Sequence, residues 1–204
     1  MRLHPRRSSL DGFTLLEAMV MVAIVGISAA LAAPAMMNAI ANRRAGEGVH
    51  AVVRIGARAR SEAIGYGRAH VLTFSDSSTG AGDMGTLELW RGTFDRCSAN
   101  NWASIITSTC AGNRDCVDSL DMGTYTHPTN SAELRLMPAG TGGSLCFQPN
   151  GDVYFAAAGG LWSTTPPAGS DAMEFRVRRI NHGSPAGVDR FVVFPFGGTP
   201  RIRR

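Results

Sequence analysis

The run from Phe13 to Ala33, FTLLEAMVMVAIVGISAALAA, contains a single ionisable side chain, Glu17. As an α-helix rising about 1.5 Å per residue, such a run crosses a hydrocarbon layer of about 30 Å, so the chain must commit one helix to an apolar environment. A carboxylate inside that layer costs about 2.5–3.5 kcal/mol on insertion scales, and Glu17 therefore needs a specific partner. Arg2, Arg6 and Arg7 precede the run against Asp11 alone. The positive-inside rule keeps this end in the cytoplasm and sends everything after Ala33 to the other side. The competing expectation is a secretory signal peptide cut at the small residues Ala30-Leu31-Ala32, before Ala33. Against it, the run exceeds the usual signal-peptide core, carries a carboxylate near its start and continues beyond Pro34 into helix-compatible sequence.

Pro34 removes one backbone donor and clashes with the preceding turn, which predicts a kink or local melting there without requiring the helix to end. Beyond it Met37, Ile40, Val49, Val52, Val53, Gly56, Ala59, Ala63 and Tyr66 recur mostly at spacings of three or four. Arg43, Arg44, Arg54, Arg58, Arg60 and Glu62 fall elsewhere. An amphipathic helix follows over residues 35–67, ending near Gly67, with a small-residue face suited to lying on a sheet. From His70 the pattern changes to short β-like runs: HVLTF, TLELW, ELRLM, SLCFQ, DVYFA, MEFRVRRI, RFVVF and PRIRR. The expected fold class is α+β, one long N-terminal helix packed on an antiparallel β-sheet head of residues 68–204.

Gly12 followed by Phe13, Thr14, Leu15, Leu16 and Glu17, and then by an apolar run, resembles the class III leader of type IV pilins and type II secretion pseudopilins. The resemblance implies the pilin fold. It also implies that a prepilin peptidase cuts between Gly12 and Phe13, removing residues 1–12 as a leader, and that Phe13 becomes N-methylated. Residues 13–34 then form the transmembrane and assembly half of the helix. The new ammonium on Phe13 gives the Glu17 of a neighbouring subunit its partner, and the pair sets axial register. LCFQPNGDVYF and the terminal GGTPRIRR are similar to FimT/FimU-type minor pilins and to H-type minor pseudopilins. By that resemblance the chain is a minor pilin of the tip or priming complex that starts type IV pilus assembly. Its partners are the inner membrane, other minor pilins, the major pilin and the inner-membrane assembly platform. Its location is the inner membrane, single-pass with a periplasmic head, and then the pilus tip. A minor pseudopilin of a type II secretion system is the alternative.

Cys97, Cys110, Cys116 and Cys146 are an even set on the exported side, which predicts two disulfides with three connectivities open. They staple a loop expected over residues 97–123. Zinc is disfavoured by the absence of C-x-x-C spacing and of a nearby histidine pair. Asp115, Asp118 and Asp121 lack the alternate-residue pattern of a calcium loop and read as a solvated acidic loop. His50, His70, His127 and His182 share no spacing with a nucleophile, and no nucleotide-binding or hydrolase signature occurs, so no enzymatic activity, cofactor, metal or small-molecule substrate is expected.

The formal charge of +4 falls to +2 once a leader with three arginines and one aspartate is removed. All basic residues are arginine, and Arg176, Arg178, Arg179, Arg190, Arg201, Arg203 and Arg204 gather in the last three strands. Arg201, Arg203 and Arg204 form a candidate anion or DNA patch, resembling the glycine- and arginine-containing C-terminus of DNA-binding FimT-type pilins. The match is partial: Pro200 intervenes, and no aromatic residues interleave for single-strand stacking. The alternative is that these arginines solvate an edge or pair with carboxylates.

Overall fold

The computed structural model describes residues 13–75, 84–106, 110–125, 132–138, 143–157, 162–163, 172–181, 184–195 and 197–203. Gly12 and the rest of the leader, Arg204, His127 and His182 lie outside them. The chain forms two compact units, residues up to Ile40 and residues from Ala41 onward.

One helix, α1 (Leu15–Tyr66), runs through both, and its assignment passes Pro34 without a break. In the first unit every residue from Phe13 to Ile40 is exposed. This part of α1 is long and apolar enough to cross a membrane. In the second unit α1 buries Ala41, Ala45, Gly48, Val49, Ala51, Val52, Ile55, Gly56, Ala59 and Ala63. That face corrects the expected one. Tyr66, Met37 and Ile40 are exposed, and alanines and glycines too small to register as an apolar stripe supply much of the contact. Their size is functional: a Cβ on Gly56 would lie 2.8 Å from Cζ of Phe194 and 3.1 Å from Cγ of Pro200. The helix ends where Gly67 adopts φ +64°, the left-handed conformation that terminates helices at low cost in glycine.

Among the described residues ten strands follow: β1 (His70–Ser75), β2 (Thr86–Arg91), β3 (Cys116–Asp121), β4 (Ala132–Pro138), β5 (Gly143–Phe147), β6 (Val153–Ala157), β7 (Ala172–Asn181), β8 (Ser184–Pro185), β9 (Arg190–Pro195) and β10 (Arg201–Arg203). Each of the eight β-like runs overlaps a strand, Arg204 of the last one lying outside the described residues. They form two antiparallel sheets where one was expected, ordered β3-β2-β1-β5-β6 and β10-β9-β7-β4, with β8 added to β7. The runs of the second sheet carry the arginines, but the short β-like period is the same in both, so periodicity does not divide them.

Alternation along the strands sorts residues to two sides. Leu72, Leu89 and Leu145 join α1 and the inner residues of the second sheet, among them Phe175, Val177, Val192 and Phe194, in one core. Phe175 anchors it, meeting Phe74 and Phe194 edge-on at 5.2 and 5.4 Å between ring centroids. Val71, Trp90 and Cys146, offset by one residue, instead build a second cluster with Cys97 and Ile105. In β7 the buried Met173, Phe175 and Val177 alternate with half-buried Glu174, Arg176 and Arg178, and Arg179 breaks the pattern as expected.

Residues 97–123 are not a plain loop. They contain a 3-10 turn at Cys97–Ala99, a one-turn helix α2 (Trp102–Ile105) and the whole of β3. β3 is an edge strand that buries only Leu120, so its sequence CVDSLD shows little apolar alternation.

Candidate assembly and contact sites

At the start of α1 the backbone N–H of Glu17 donates to Oγ1 of Thr14 at 3.3 Å, and that of Ala18 to the Thr14 carbonyl at 3.2 Å. Thr14-Leu15-Leu16-Glu17 is thus a capping-box sequence with Thr14 at the cap and Glu17 three residues on, near the positive end of the helix dipole. The observed cap bond is made by the Glu17 backbone, so the local role falls to the Thr14 hydroxyl. Phe13, Leu15 and Leu16 around it are 72, 80 and 73% exposed, as are apolar residues on every side of the helix through Met37. A contiguous exposed apolar surface of this size marks a membrane or interaction surface.

The four cysteines form two disulfides, Cys97–Cys146 and Cys110–Cys116, with Cα separations of 6.1 and 5.3 Å. The first ties the 3-10 turn to β5; the second closes a short turn onto the start of β3. Between them Asn100, buried to 9% exposure, acts as a hub. Its Oδ1 accepts from the N–H groups of Thr93 and Phe94 at 2.7 and 3.0 Å, and its Nδ2 donates to the carbonyls of Phe94 and Arg96 at 3.2 and 2.8 Å. No spacing signal marks a lone Asn as such a hub; the only sequence hint is its place in a Cys-rich turn.

The acidic triplet is dispersed. Asp118 accepts from Arg58 of α1 at 2.8 Å, and Asp121 Oδ1 accepts the N–H of Gly123 at 2.8 Å. Asp115 is exposed. Among the described residues no group of three or more His, Cys, Asp or Glu is placed to hold a metal. Of the histidines, His50 is exposed and His70 fully buried. His70 Nδ1 lies 3.0 Å from the Arg68 carbonyl, so Nδ1 carries the proton, and the buried Nε2 has no hydrogen-bond partner among the described residues. Burial lowers the His70 pKa; the Arg68 hydrogen bond and Glu62 oppose that shift and Arg91 adds to it.

The C-terminal arginines gather on the second sheet, but several are engaged. Arg178 Nε and Nη2 grip Asp189 at 2.9 and 2.6 Å, and Arg176 stands 4.0 Å from the same carboxylate. The Arg178 hydrogen bonds hold the Asp189 carboxyl below its ordinary value, against a smaller opposing effect of burial. Arg203 pairs with Glu174 at 3.0 Å and lies over the Phe191 ring at 5.4 Å. Arg179 donates to Asn42 Oδ1 at 3.2 Å, and Arg60 to the Gly198 carbonyl at 2.7 Å. Arg201 is exposed on β10.

Comparison of the chain with protein-family models, with curated proteins and with solved structures finds no match.

Proposed function

We propose that this chain is a subunit of a type IV pilus-like filament, a minor pilin that joins other minor subunits to start assembly. The observation that carries this reading is the sequence Gly12-Phe13-Thr14-Leu15-Leu16-Glu17 at the head of a helix that continues to Tyr66. The helix is exposed and apolar as far as Ile40 and becomes one wall of an α+β core after it. A monomer with that division has an unpaid apolar surface, which membrane and filament cover in turn. Cleavage after Gly12 leaves an ammonium on Phe13, and the Glu17 carboxylate of a neighbour neutralises it. Because both charges are desolvated, the pair serves register more than affinity.

The ion pairs of Arg178 and Arg203 count against DNA binding at the C-terminus, since each paired guanidinium must give up a carboxylate before meeting a phosphate. The assembly reading is tested by cross-linking the tagged full chain in its native membrane and identifying what co-purifies. Recovery of other leader-bearing pilin-like subunits is expected. A chain that is strictly monomeric in the membrane and recovers none contradicts it.

A further inference from the structure

The face of the five-stranded sheet that bears the second cluster carries a cavity of about 280 Å³, lined by Arg96, Cys97, Ser98, Gln148, Tyr154 and Trp162. Its frame is fixed from several directions. Tyr154 stands opposite Cys146 in the β5–β6 register, and Cys146 is bonded to Cys97. Trp102 donates from Nε1 to the Cys97 carbonyl at 2.8 Å and meets Trp162 edge-on at 6.2 Å. Asn100 holds the Arg96 carbonyl at 2.8 Å. The lining is therefore organised before any ligand arrives, which limits the ordering cost of binding.

Its chemistry is specific. Arg96 is exposed and, among the described residues, has no carboxylate partner, whereas Arg58, Arg178 and Arg203 each have one. Among the described residues no Asp or Glu lines the cavity. A permanent cation therefore stands beside two aromatic rings, an amide and a hydroxyl. Aromatic rings take the C–H faces of a sugar, Gln148 and Ser98 suit its hydroxyls, and a guanidinium fork takes a carboxylate with two parallel hydrogen bonds. The volume lies just under the roughly 300–1,000 Å³ of ordinary ligand pockets, matching one substituted ring better than a base, ribose and phosphate together. We propose that this cavity binds a uronic-acid unit of an acidic polysaccharide, with Arg96 on the carboxylate and Tyr154 and Trp162 against the ring. The proposal is independent of the filament reading.

The test uses the full chain in detergent micelles at neutral pH, with galacturonic acid as probe and binding followed by saturation-transfer NMR and tryptophan fluorescence. Saturable binding with a Kd of about 1–10 mM is expected for a single sugar ring. Arg96→Gln should weaken it at least about tenfold, as should Trp162→Ala, while the control Arg201→Gln, on the other sheet, leaves it near wild type. Esterifying the probe's carboxylate should reproduce the Arg96→Gln loss in the wild-type protein, a result independent of how any variant folds. The proposal is overturned by absence of saturable binding up to about 50 mM, or by equal binding of glucose. It is also overturned if thymidine monophosphate binds more tightly with the same dependence on Arg96, which would make the cavity a nucleotide site.

Discussion

Gly56 of α1 and Phe194 of β9 are in direct contact, with no room for a side chain at position 56. Glycine inside a helix costs about 0.5–1 kcal/mol relative to alanine, whereas overpacking a core costs about 1–3 kcal/mol, so the packing term should win. Gly56→Ala should lower stability by about 1–2 kcal/mol. Gly46, in the same helix with open space where its Cβ would be, sets the opposite expectation. Gly46→Ala should raise stability by about 0.5–1 kcal/mol. Denaturant titration of the two variants checks both signs at once.

Cys97–Cys146 spans 49 residues and Cys110–Cys116 spans 6. Loop-closure entropy assigns about 4 kcal/mol to the first and about 2 kcal/mol to the second. Replacing Cys97 and Cys146 together by Ser should therefore destabilise the head more than replacing Cys110 and Cys116. Non-reducing peptide mapping checks the pairing, and denaturation of the two double variants checks the order.

His70 and Asp189 give the acid response two separate windows. Burial lowers the folded pKa of His70 below the ordinary 6.5, so as pH falls through 6.5 the unfolded chain takes the proton first. Its contribution is complete above 6.5 and declines below it, with a slope of at most about 1.4 kcal/mol per pH unit, until the folded pKa is reached. His70→Asn, which retains a donor for the Arg68 carbonyl, should remove that slope whatever it does to overall stability. Stability measured between pH 7 and pH 5 is the check.

Asp189 acts lower. Its folded pKa is depressed below the ordinary 3.8, so its contribution is present above 3.8 and is lost as pH falls from there through the folded value. Asp189→Asn should cost about 1 kcal/mol at neutral pH, since the pair with Arg178 is only partly buried. The gap between variant and wild type should close in strong acid, as read from denaturation curves at neutral pH and below 3.8.

Much of this architecture was legible in the chain. The span declares itself by length and composition, and strands such as HVLTF and RFVVF by β-branched and aromatic runs bounded by turns. β3 was not legible, because a polar edge strand buries one side chain and looks like an acidic loop. The buried face of α1 was read only in part, since Ala41, Ala45 and Ala51 contribute by being small rather than by being strongly apolar. Disulfide pairing and the Arg178–Asp189 and Arg58–Asp118 contacts depend on chain segments brought together by the fold, which spacing does not encode. At Glu17 the sequence suggested a long-range partner for the carboxylate, and the fold added a cap bond from the Glu17 backbone to Thr14.

Those two roles separate by substitution. Glu17→Gln keeps a side chain suited to the third position of a capping box but removes the charge. It should leave membrane insertion unchanged and reduce incorporation into filaments at least about tenfold, equivalent to about 1.4 kcal/mol. Thr14→Ala removes the cap oxygen, at a cost of about 1 kcal/mol to the helix, and should leave incorporation close to wild type. Quantifying both variants in membrane and sheared-filament fractions distinguishes register from capping.

The central claim is that the chain enters a filament through a processed N-terminus, and mass spectrometry of the N-terminal peptide of the protein from its native membrane tests it most directly. A peptide beginning at N-methylated Phe13 is the expected result; one beginning at Ala33, after loss of the whole apolar run, would contradict it.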